Sequence, residues 1–397
     1  MASIVKRNNT YSVVYYYRTE TGEKKQKWET YKSYDDAFKR KQYLDQSTSD
    51  SLFKTLTTFE DLVTEFIELY GKKRWSYSTY SFHVGLIEHY IFPYLRNIKL
   101  CDFNHHMLDR FYTILAETPS VKDKNQPITE HTITRIHKLL KTIFRQAVLW
   151  DCIDMNPADK IILPKCQYTK RNFLTMEEID SLLQNATDDL GMSLLIQLSF
   201  ACSLRKGEIL GLTWNDIDFK NHCIYINKAL TVINKDYINI LHNKELLCIL
   251  PDRIIVPTKT CKVLKSPKTV SSIRKVYVPD TLLKNLALYK QSFSSVQLLK
   301  DYPLIFTDAY GYPYGDNYIK EHFDKLLEKC NLPHVVFHSL RHSSITYKLF
   351  LTNGDIKSVQ GDAGHSQSTM VMEIYGHIID ANRKQVADKF EKAFYQK

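Results

Sequence analysis

Glycine is scarce in this chain, at 12 of 397 residues, and none falls into the GxGxxG or GxxxxGK spacing that cradles nucleotide phosphates. ATP-driven chemistry therefore loses most of its support. The 8 cysteines never form a CxxC pair, which excludes a zinc ribbon or a thioredoxin-type site and predicts reduced, mostly buried thiols. Long apolar runs are also missing, because serines and a glutamine interrupt the best stretch, Met192 to Leu204. We therefore expect no membrane span.

The first residues show no secretory pattern, because a polar stretch follows Lys6 and Arg7 where a signal peptide would have an apolar segment. What the chain does carry is positive charge: 54 Lys and Arg against 44 Asp and Glu give 54 − 44 = +10. This excess favours a polyanionic partner. Hydrophobic residues at 44% and charged residues at 25% are typical of a globular protein, and 397 residues predict two or three domains.

Residues 1–50 predict a small antiparallel sheet followed by a helix. Tyrosines and valines at positions 11–17 and the basic run Lys24 to Trp28 lie on either side of a turn at Gly22, and positions 35–44 have a helical pattern. This segment holds ten basic and seven acidic residues, so 10 − 7 = +3. Basic residues among aromatics suit a DNA groove, although a purely structural sheet would look similar. The candidate DNA contacts here are Lys24, Lys25 and Lys27.

Residues 55–155 predict a small all-α domain. In the clearest helix, from about 132 to 150, one apolar stripe is made by Ile133, Ile136, Leu140, Ile143, Phe144 and Ala147. Lys138, Lys141 and Arg145 lie on the opposite face. Such a basic face is usually only solvated, but it could equally lie against a phosphate backbone.

Residues 156–172 read as a basic, proline-containing linker, with Lys170 and Arg171 as further candidate DNA contacts. The third domain, residues 173–397, alternates helical patterns with β-rich segments such as 223–226 and 275–278. The expected fold class is therefore multidomain α+β: a sheet with a helix, an all-α domain, and a mainly α domain with a small antiparallel sheet.

Four short segments of the third domain carry the candidate chemistry, and each would be weak alone. They are SLRKGEILGL with Arg205, the turn SPKT with Lys268, the HSLR stretch with His338 and Arg341, and AGHS with His365 followed by Tyr375. An arginine fork grips phosphate, and a turn lysine can protonate a leaving oxygen. A tyrosine becomes a useful nucleophile where cations stabilise the charge developing on a phosphate.

Taken in this order, the segments resemble the tyrosine recombinase family, in particular the integrases of phages and conjugative transposons. The resemblance implies an arm-type DNA-binding domain with a three-stranded sheet (1–50), a helical core-binding domain (55–155) and a catalytic domain (173–397). It also implies a homotetramer on double-stranded DNA with core and arm sites, no cofactor, and a bacterial cytoplasmic enzyme that works at the nucleoid. An excisionase and a host DNA-bending protein are further expected partners.

Carried over by motif, the resemblance makes Tyr375 the nucleophile that forms a 3′-phosphotyrosyl bond without metal or ATP. It assigns the non-bridging phosphate oxygens to Arg205 and Arg341, and the proton for the 5′-oxygen to Lys268. His338 and His365 would hydrogen-bond the phosphate and assist proton transfer. Lys262 and Lys265 stay open as alternatives to Lys268.

Two departures from the family pattern carry expectations of their own. Ala363 stands where the family usually has leucine, a packing change that removes no catalytic group. Arg205 and Lys268 are 268 − 205 = 63 residues apart, which predicts an inserted β-hairpin within about 228–258, built on Tyr237, Ile238, Ile240 and Leu241. Whether this insertion touches DNA is open.

Three other interpretations compete. A metal-dependent nuclease or transposase would use Glu208, Asp216 and Asp218 as ligands. A DNA-binding regulator without catalysis would not need the tyrosine, histidines and arginines in this arrangement. Chromosome-dimer resolution is the alternative role within the family.

The end of the chain has an apolar stripe of Val386, Ala387, Phe390, Ala393 and Phe394. Such a stripe is expected to be buried, either on its own domain or, as the family resemblance implies, on a neighbouring protomer.

Overall fold

The computed structural model describes residues 3–7, 10–18, 24–49, 56–121, 123–163, 173–241, 245–253, 258–267, 272–292, 296–352, 354–364 and 390–395. The side chains at 16–18, 24–25, 42–49 and 363 lie outside that description. Backbone contacts group the chain into two compact units, one of residues 1–70 with 86–164 and one of residues 71–85 with 165–397. The three domain boundaries expected from the sequence stay a prediction.

The described part of the first 50 residues forms a three-stranded antiparallel sheet covered on one face by a helix, as predicted. The elements are β1 (Ser3–Arg7), β2 (Thr10–Arg18), β3 (Lys24–Tyr31) and α1 (Tyr34–Ser49), with strand order β1-β2-β3. Val13 of β2 and Ala37 of α1 are fully buried against each other, with tyrosines packed around them.

Helices dominate residues 57–163, as predicted. They are α2 (Phe59–Phe66), α3 (Lys72–Arg74), α4 (Tyr77–Leu86), α5 (Phe92–Leu95), α6 (His105–Glu117) and α7 (Glu130–Leu149). Single π-helical turns occur at Ile67–Gly71 and Ile87–Ile91, and a 3-10 turn at Leu100–Asp102. All apolar positions of the stripe predicted for α7 are buried. Phe144 of α7 packs against Phe59 of α2, with ring centroids 5.6 Å apart.

The described residues from 173 onward form helices and two small sheets around a large hydrophobic core, with a small separate cluster of Ile345, Leu349 and Val359. The helices are α8 (Met176–Asn185), α9 (Leu190–Ala201), α10 (Lys206–Leu210), α11 (Lys235–Ile240), α12 (Asp280–Ser292), α13 (Asp316–Lys329), α14 (Ser339–Leu351) and α15 (Ile356–Ala363), with a 3-10 turn at Trp214–Asp216 and a π-helical turn at Glu391–Tyr395. The strands are β4 (Ile217–Asp218), β5 (Cys223–Ile226), β6 (Ala229–Asn234), β7 (Leu246–Ile249), β8 (Thr260–Lys265) and β9 (Arg274–Tyr277). Helix α9 is the centre of this core, because most of its residues from Gly191 to Ser199 are buried.

The sheets have strand orders β4-β5-β9 and β6-β8-β7, with antiparallel neighbours. The hairpin predicted within 228–258 is therefore wrong: β6 and β7 do not pair with each other, and both pair with β8. Tyr237, Ile238 and Ile240 belong to helix α11. The Asn234 side chain accepts a hydrogen bond from the backbone N–H of Asp236 (3.0 Å) and so starts a helix where strand composition alone favoured a strand.

Among the described residues, no helix combines the length and the apolar character that crossing a membrane requires.

Candidate active site

A tight turn after α9 places two of the sequence-predicted residues. Ser203 is fully buried and has φ +54°, a left-handed conformation that is unusual for serine. Its hydroxyl hydrogen-bonds the Ser344 hydroxyl of α14 (2.6 Å), and its carbonyl accepts a hydrogen bond from the Arg341 guanidinium. Arg205 follows as the N-cap residue of α10, directly before the helix. The strained turn therefore joins the two arginines through the backbone.

The glycines of the first motif allow α10 to approach strand β6. A Cβ on Gly207 would lie 2.9 Å from the carbonyl oxygen of Leu230, and a Cβ on Gly211 would lie 2.9 Å from the Cα of Ala229. Both distances are too short for a side chain. These glycines fix the position of α10, and with it the position of Arg205.

Glu208 is the carboxylate at the centre of the site, with a side chain only 8% exposed. Its Oε1 accepts hydrogen bonds from Nη1 of Arg205 (2.8 Å) and Nη1 of Arg274 (3.1 Å). Its Oε2 accepts from the backbone N–H of Arg205 (2.9 Å) and Nη2 of Arg274 (2.9 Å). Burial alone would raise the pKa of Glu208, but the hydrogen bonds and charges of Arg274 and Arg205 lower it to about 2.

Arg341 lies in the first turn of α14 and is 1% exposed. Burial and the nearby charges of Arg205 and Arg274 lower its pKa, while Glu208 acts in the opposite direction. Three guanidinium groups therefore share the surroundings of one carboxylate. His338 directly precedes α14 and is exposed, and its ring lies edge-on to that of His342, with centroids 5.0 Å apart.

The end of α15 contributes backbone acceptors to the same site. Gly364 has φ +60° and closes the helix in a left-handed conformation. Its carbonyl accepts from Nη2 of Arg205 (3.1 Å), and the Asp362 carbonyl accepts from Nε of Arg274 (2.8 Å). A Cβ on Gly364 would lie 3.0 Å from Cδ and Nη1 of Arg274. The glycine of the GH motif is thus explained by both its conformation and its close packing.

Of the predicted catalytic residues, the structure brings Arg205 and Arg341 together, and it places His338 directly before α14, the helix that carries Arg341. Lys268, His365 and Tyr375 lie outside the described residues. Of the alternative lysines, Lys262 donates to the carbonyls of Pro313 (2.5 Å) and Tyr314 (3.3 Å), and burial lowers its pKa. Lys265 ends β8, opposite Ala229. The choice of Lys268 stays a prediction.

Arg274 is the residue that the sequence analysis did not assign to the site. It begins β9, and its side chain is 6% exposed. An arginine at the start of a strand looks like a surface cation in sequence, and its partner Glu208 is 274 − 208 = 66 residues away. The one available signal is that the strand alternation puts position 274 on the same face as the buried Val276.

The DNA-binding candidates stay predictions. The Lys24 and Lys25 side chains, and the whole of Lys170 and Arg171, lie outside the described residues. Lys27 is exposed and lies 3.4 Å from Glu29. The remaining candidates, Lys138, Lys141 and Arg145, are exposed on α7, and Lys141 pairs with Asp159 (3.0 Å).

The carboxylates that a metal-dependent nuclease would need are engaged elsewhere. Glu208 is held by two arginines, as described above. Asp216 accepts from the ammonium of Lys228 (2.5 Å) and from the Thr213 hydroxyl (2.6 Å). Asp218 accepts from backbone and side-chain N–H groups of Asn221. Each of the three is thus already bound by protein donors, which disfavours their joint use as metal ligands.

A family model described as the Phage integrase family matches residues 172–382, more than half of the chain. This chain belongs to the phage integrase family. The phage integrase SAM-like domain model matches residues 58–161. As a member of this family of tyrosine recombinases, the protein is a site-specific DNA recombinase.

Similar proteins of known name support the same assignment. The tyrosine recombinase XerC-like protein of Caldanaerobacter subterraneus subsp. tengcongensis is 25% identical over 76% of this chain and 74% of its own length. The ICEBs1 integrase of Bacillus subtilis is 23% identical over 77% of this chain and 75% of its own length. The Tn1549 transposon integrase, solved in complex with a circular intermediate DNA, has TM-score 0.64 and 20% identity, with 84% of this chain and 99% of that chain covered. This structural likeness supports the tyrosine recombinase fold.

Proposed function

We propose that this recombinase is the integrase of a mobile genetic element and that Tyr375 is its nucleophile. The phenolic oxygen attacks the scissile phosphodiester, its proton passes to His338 or His365, and the bond to the 5′-oxygen breaks as that oxygen takes a proton from Lys268. The products are a 3′-phosphotyrosyl bond and a free 5′-hydroxyl. The same steps in reverse, with the 5′-hydroxyl of another strand as attacking group, rejoin the DNA.

In the proposed mechanism each of the other site residues has its own role. Arg205 and Arg341 hold the non-bridging phosphate oxygens, and Lys268 protonates the departing 5′-oxygen. His338 and His365 hydrogen-bond the phosphate and assist proton transfer. Since the phosphotyrosyl bond conserves the energy of the broken phosphodiester, the reaction needs no ATP, and the cationic side chains take the place of a metal.

The observation that carries the proposal is the surplus of positive charge around Glu208. Arg205, Arg274 and Arg341 contribute +3 and Glu208 contributes −1, which leaves 3 − 1 = +2. Burying like charges together is unfavourable unless an anion compensates them. The scissile phosphate supplies this negative charge, and more of it develops there as the tyrosine attacks.

A tetramer on two paired duplexes is the proposed working assembly. The described part of the C-terminal stripe supports a docking role: Phe390 and Phe394 are exposed, and their rings are stacked with centroids 5.0 Å apart. Val386 and Ala387 lie outside the described residues. We place this stripe on a neighbouring protomer, and we keep an excisionase and a host DNA-bending protein as proposed partners.

Chromosome-dimer resolution is the weaker alternative. The first 57 residues lie outside both family-model matches, and they contain the folded sheet β1-β2-β3 and helix α1. A second DNA-contacting domain suits an integrase that bridges arm and core sites. The ICEBs1 and Tn1549 relatives are integrases by name, which favours the same role.

The test uses nicked suicide DNA built from the junctions of the element that carries this gene. The DNA is incubated with the full-length chain in EDTA and analysed on a denaturing gel, with Tyr375→Phe as the comparison. We expect a covalent protein–DNA band with the wild type and none with Tyr375→Phe, while both bind the DNA in a mobility-shift assay. Cleavage that requires Mg²⁺ and leaves no covalent band would contradict the proposal.

A further inference from the structure

The Arg274 guanidinium is directed entirely into the protein. Nε donates to the Asp362 carbonyl (2.8 Å) and Nη2 to Glu208 (2.9 Å). Nη1 donates both to Glu208 (3.1 Å) and to the Ser272 carbonyl (3.3 Å). Four of the five N–H donors of a guanidinium are thus used within the protein. A side chain committed in this way does not hold a substrate phosphate.

Arg205 differs from Arg274 in the same network. Its side chain is 35% exposed, and among the described residues Nη1 donates to Glu208 and Nη2 to the Gly364 carbonyl. The remaining N–H groups of its fork can therefore be offered to a ligand. Glu208 connects the two arginines, because each of its oxygens accepts one hydrogen bond from each of them.

Both arginines also donate hydrogen bonds to the C-terminal end of helix α15. Arg274 binds the carbonyl of Asp362 and Arg205 that of Gly364, at the C-terminal end of α15, where cations are favourable. The Asp362 carboxylate is held in addition by the ammonium of Lys348 (2.7 Å). The next residue along the chain after Gly364 is His365.

We propose that Arg274 is a positioning residue for DNA cleavage, acting on Arg205 through Glu208 and on the chain before His365 through the end of α15. The inference rests on the proposed function, because Arg205 must contact the scissile phosphate for its position to matter. Without Arg274, Glu208 loses two of its four donors in a buried site. The carboxylate then draws the Arg205 guanidinium toward itself and away from the phosphate.

A small displacement of a group that holds the reacting phosphate can reduce the rate by about 100-fold. We therefore expect Arg274→Met to form the covalent complex on nicked suicide DNA about 100-fold more slowly than the wild type. Arg274→Lys keeps the charge but not the fork, and about a tenfold loss is expected. Arg253→Met is the matched control. Arg253 forms an ion pair with Asp308 (3.1 Å) and is not a partner of Glu208. This variant should stay within about twofold of wild type, as surface ion pairs contribute little.

A chemically modified scissile phosphate distinguishes a positioning role of Arg274 from a purely structural one. A methylphosphonate at the scissile position replaces one charged non-bridging oxygen by a methyl group, so that one guanidinium contact is lost in each of the two stereoisomers. On the isomer that lacks the Arg205 contact, we expect the loss caused by Arg274→Met to shrink to about threefold or less. DNA affinity in a mobility shift should remain within about threefold, because the side chain is buried.

Two results would overturn the inference while leaving the proposed function intact. One is a wild-type rate in Arg274→Met. The other is an equal loss on phosphate and on both methylphosphonate isomers, which would make Arg274 a general stabiliser of the fold. A wild-type chain that forms no covalent complex would instead contradict the proposed function, and this inference with it.

Discussion

Glu29 of strand β3 and Glu208 of helix α10 each have a pKa of about 2, and each receives hydrogen bonds from an arginine. At Glu29 the cause is mainly the Arg40 fork (2.7 and 3.2 Å), followed by the Tyr15 hydroxyl (2.7 Å). At Glu208 burial works against ionisation, and the hydrogen bonds and charge of Arg274 outweigh it.

The two clusters differ in their charge balance. The Arg40–Glu29 pair is neutral by itself, with Lys27 at its exposed edge, and it fastens α1 to the sheet. The cluster of Glu208 keeps a surplus of arginines, one of them buried beside like charges. A pair that only stabilises a fold has no need of surplus charge. The imbalance is what we expect of a site that receives an anionic substrate, as proposed above.

The largest difference between the two clusters is expected in the cleavage rate when each carboxylate is replaced in turn. Glu208→Gln leaves the paired guanidiniums without a counter-charge and releases Arg205, so covalent-complex formation should fall about 100-fold. Glu29→Gln should leave the rate on a core-site substrate within about twofold, because none of the hydrogen bonds around Glu208 involves Glu29 or its partners. Single-turnover cleavage of nicked DNA measures both. Equal effects of the two substitutions would remove the functional distinction between the clusters.

A smaller effect is expected from Gly364→Ala. The added Cβ would meet Arg274 at 3.0 Å, in a backbone conformation of φ +60° that alanine adopts only with strain. We expect about a tenfold slower cleavage because Arg274 and the end of α15 must shift.

Gly361→Ala is the control for this substitution, because a Cβ at Gly361 has no atom within 4 Å. Alanine is favoured over glycine inside a helix, so this variant should cleave at the wild-type rate. A similar loss in both variants would mean that α15 responds to any change, and the contact with Arg274 would not be the cause.

The smallest contrast concerns acid stability. A carboxylate whose pKa falls from an ordinary 4.5 to about 2 on folding contributes stability that is fully present above pH 4.5 and is lost as the pH falls toward 2. Glu29→Gln should reduce the acid-induced loss of stability in the N-terminal sheet and leave it unchanged elsewhere. Glu208→Gln should reduce it only in the unit that contains α9. Hydrogen-exchange protection of peptides from each unit, corrected for the intrinsic pH dependence, measures it. If either variant changed the acid dependence of protection in both units, the two clusters would not stabilise their units independently.

Local patterns were sufficient to predict much of this molecule. The buried stripe of α7 follows from helical periodicity, and β5 follows from the run Cys223–Ile226. Arg205 and Arg341 were predicted as site residues because each is part of a short motif, and both lie near Glu208. What could not be predicted depends on distant partners or on backbone conformation: the pairing of Arg274 with Glu208, the left-handed turn at Ser203, and the pairing of both β6 and β7 with β8. Composition does not show which strands pair, and the residues of strand composition at 237–240 form helix α11, so the predicted hairpin was wrong.

The most direct test of the surplus-charge account is Arg341→Met, followed by thermal unfolding and by cleavage of nicked DNA. Arg341 is 1% exposed and its charge is disfavoured by burial, Arg205 and Arg274. An apolar side chain of similar length removes that unfavourable charge, and this gain offsets the loss of the guanidinium hydrogen bond to the Ser203 carbonyl. We therefore expect a melting temperature equal to or above that of the wild type, with cleavage reduced by about 1,000-fold or more. A melting temperature several degrees lower, or cleavage that persists, would show that Arg341 is kept for the fold and not for the phosphate.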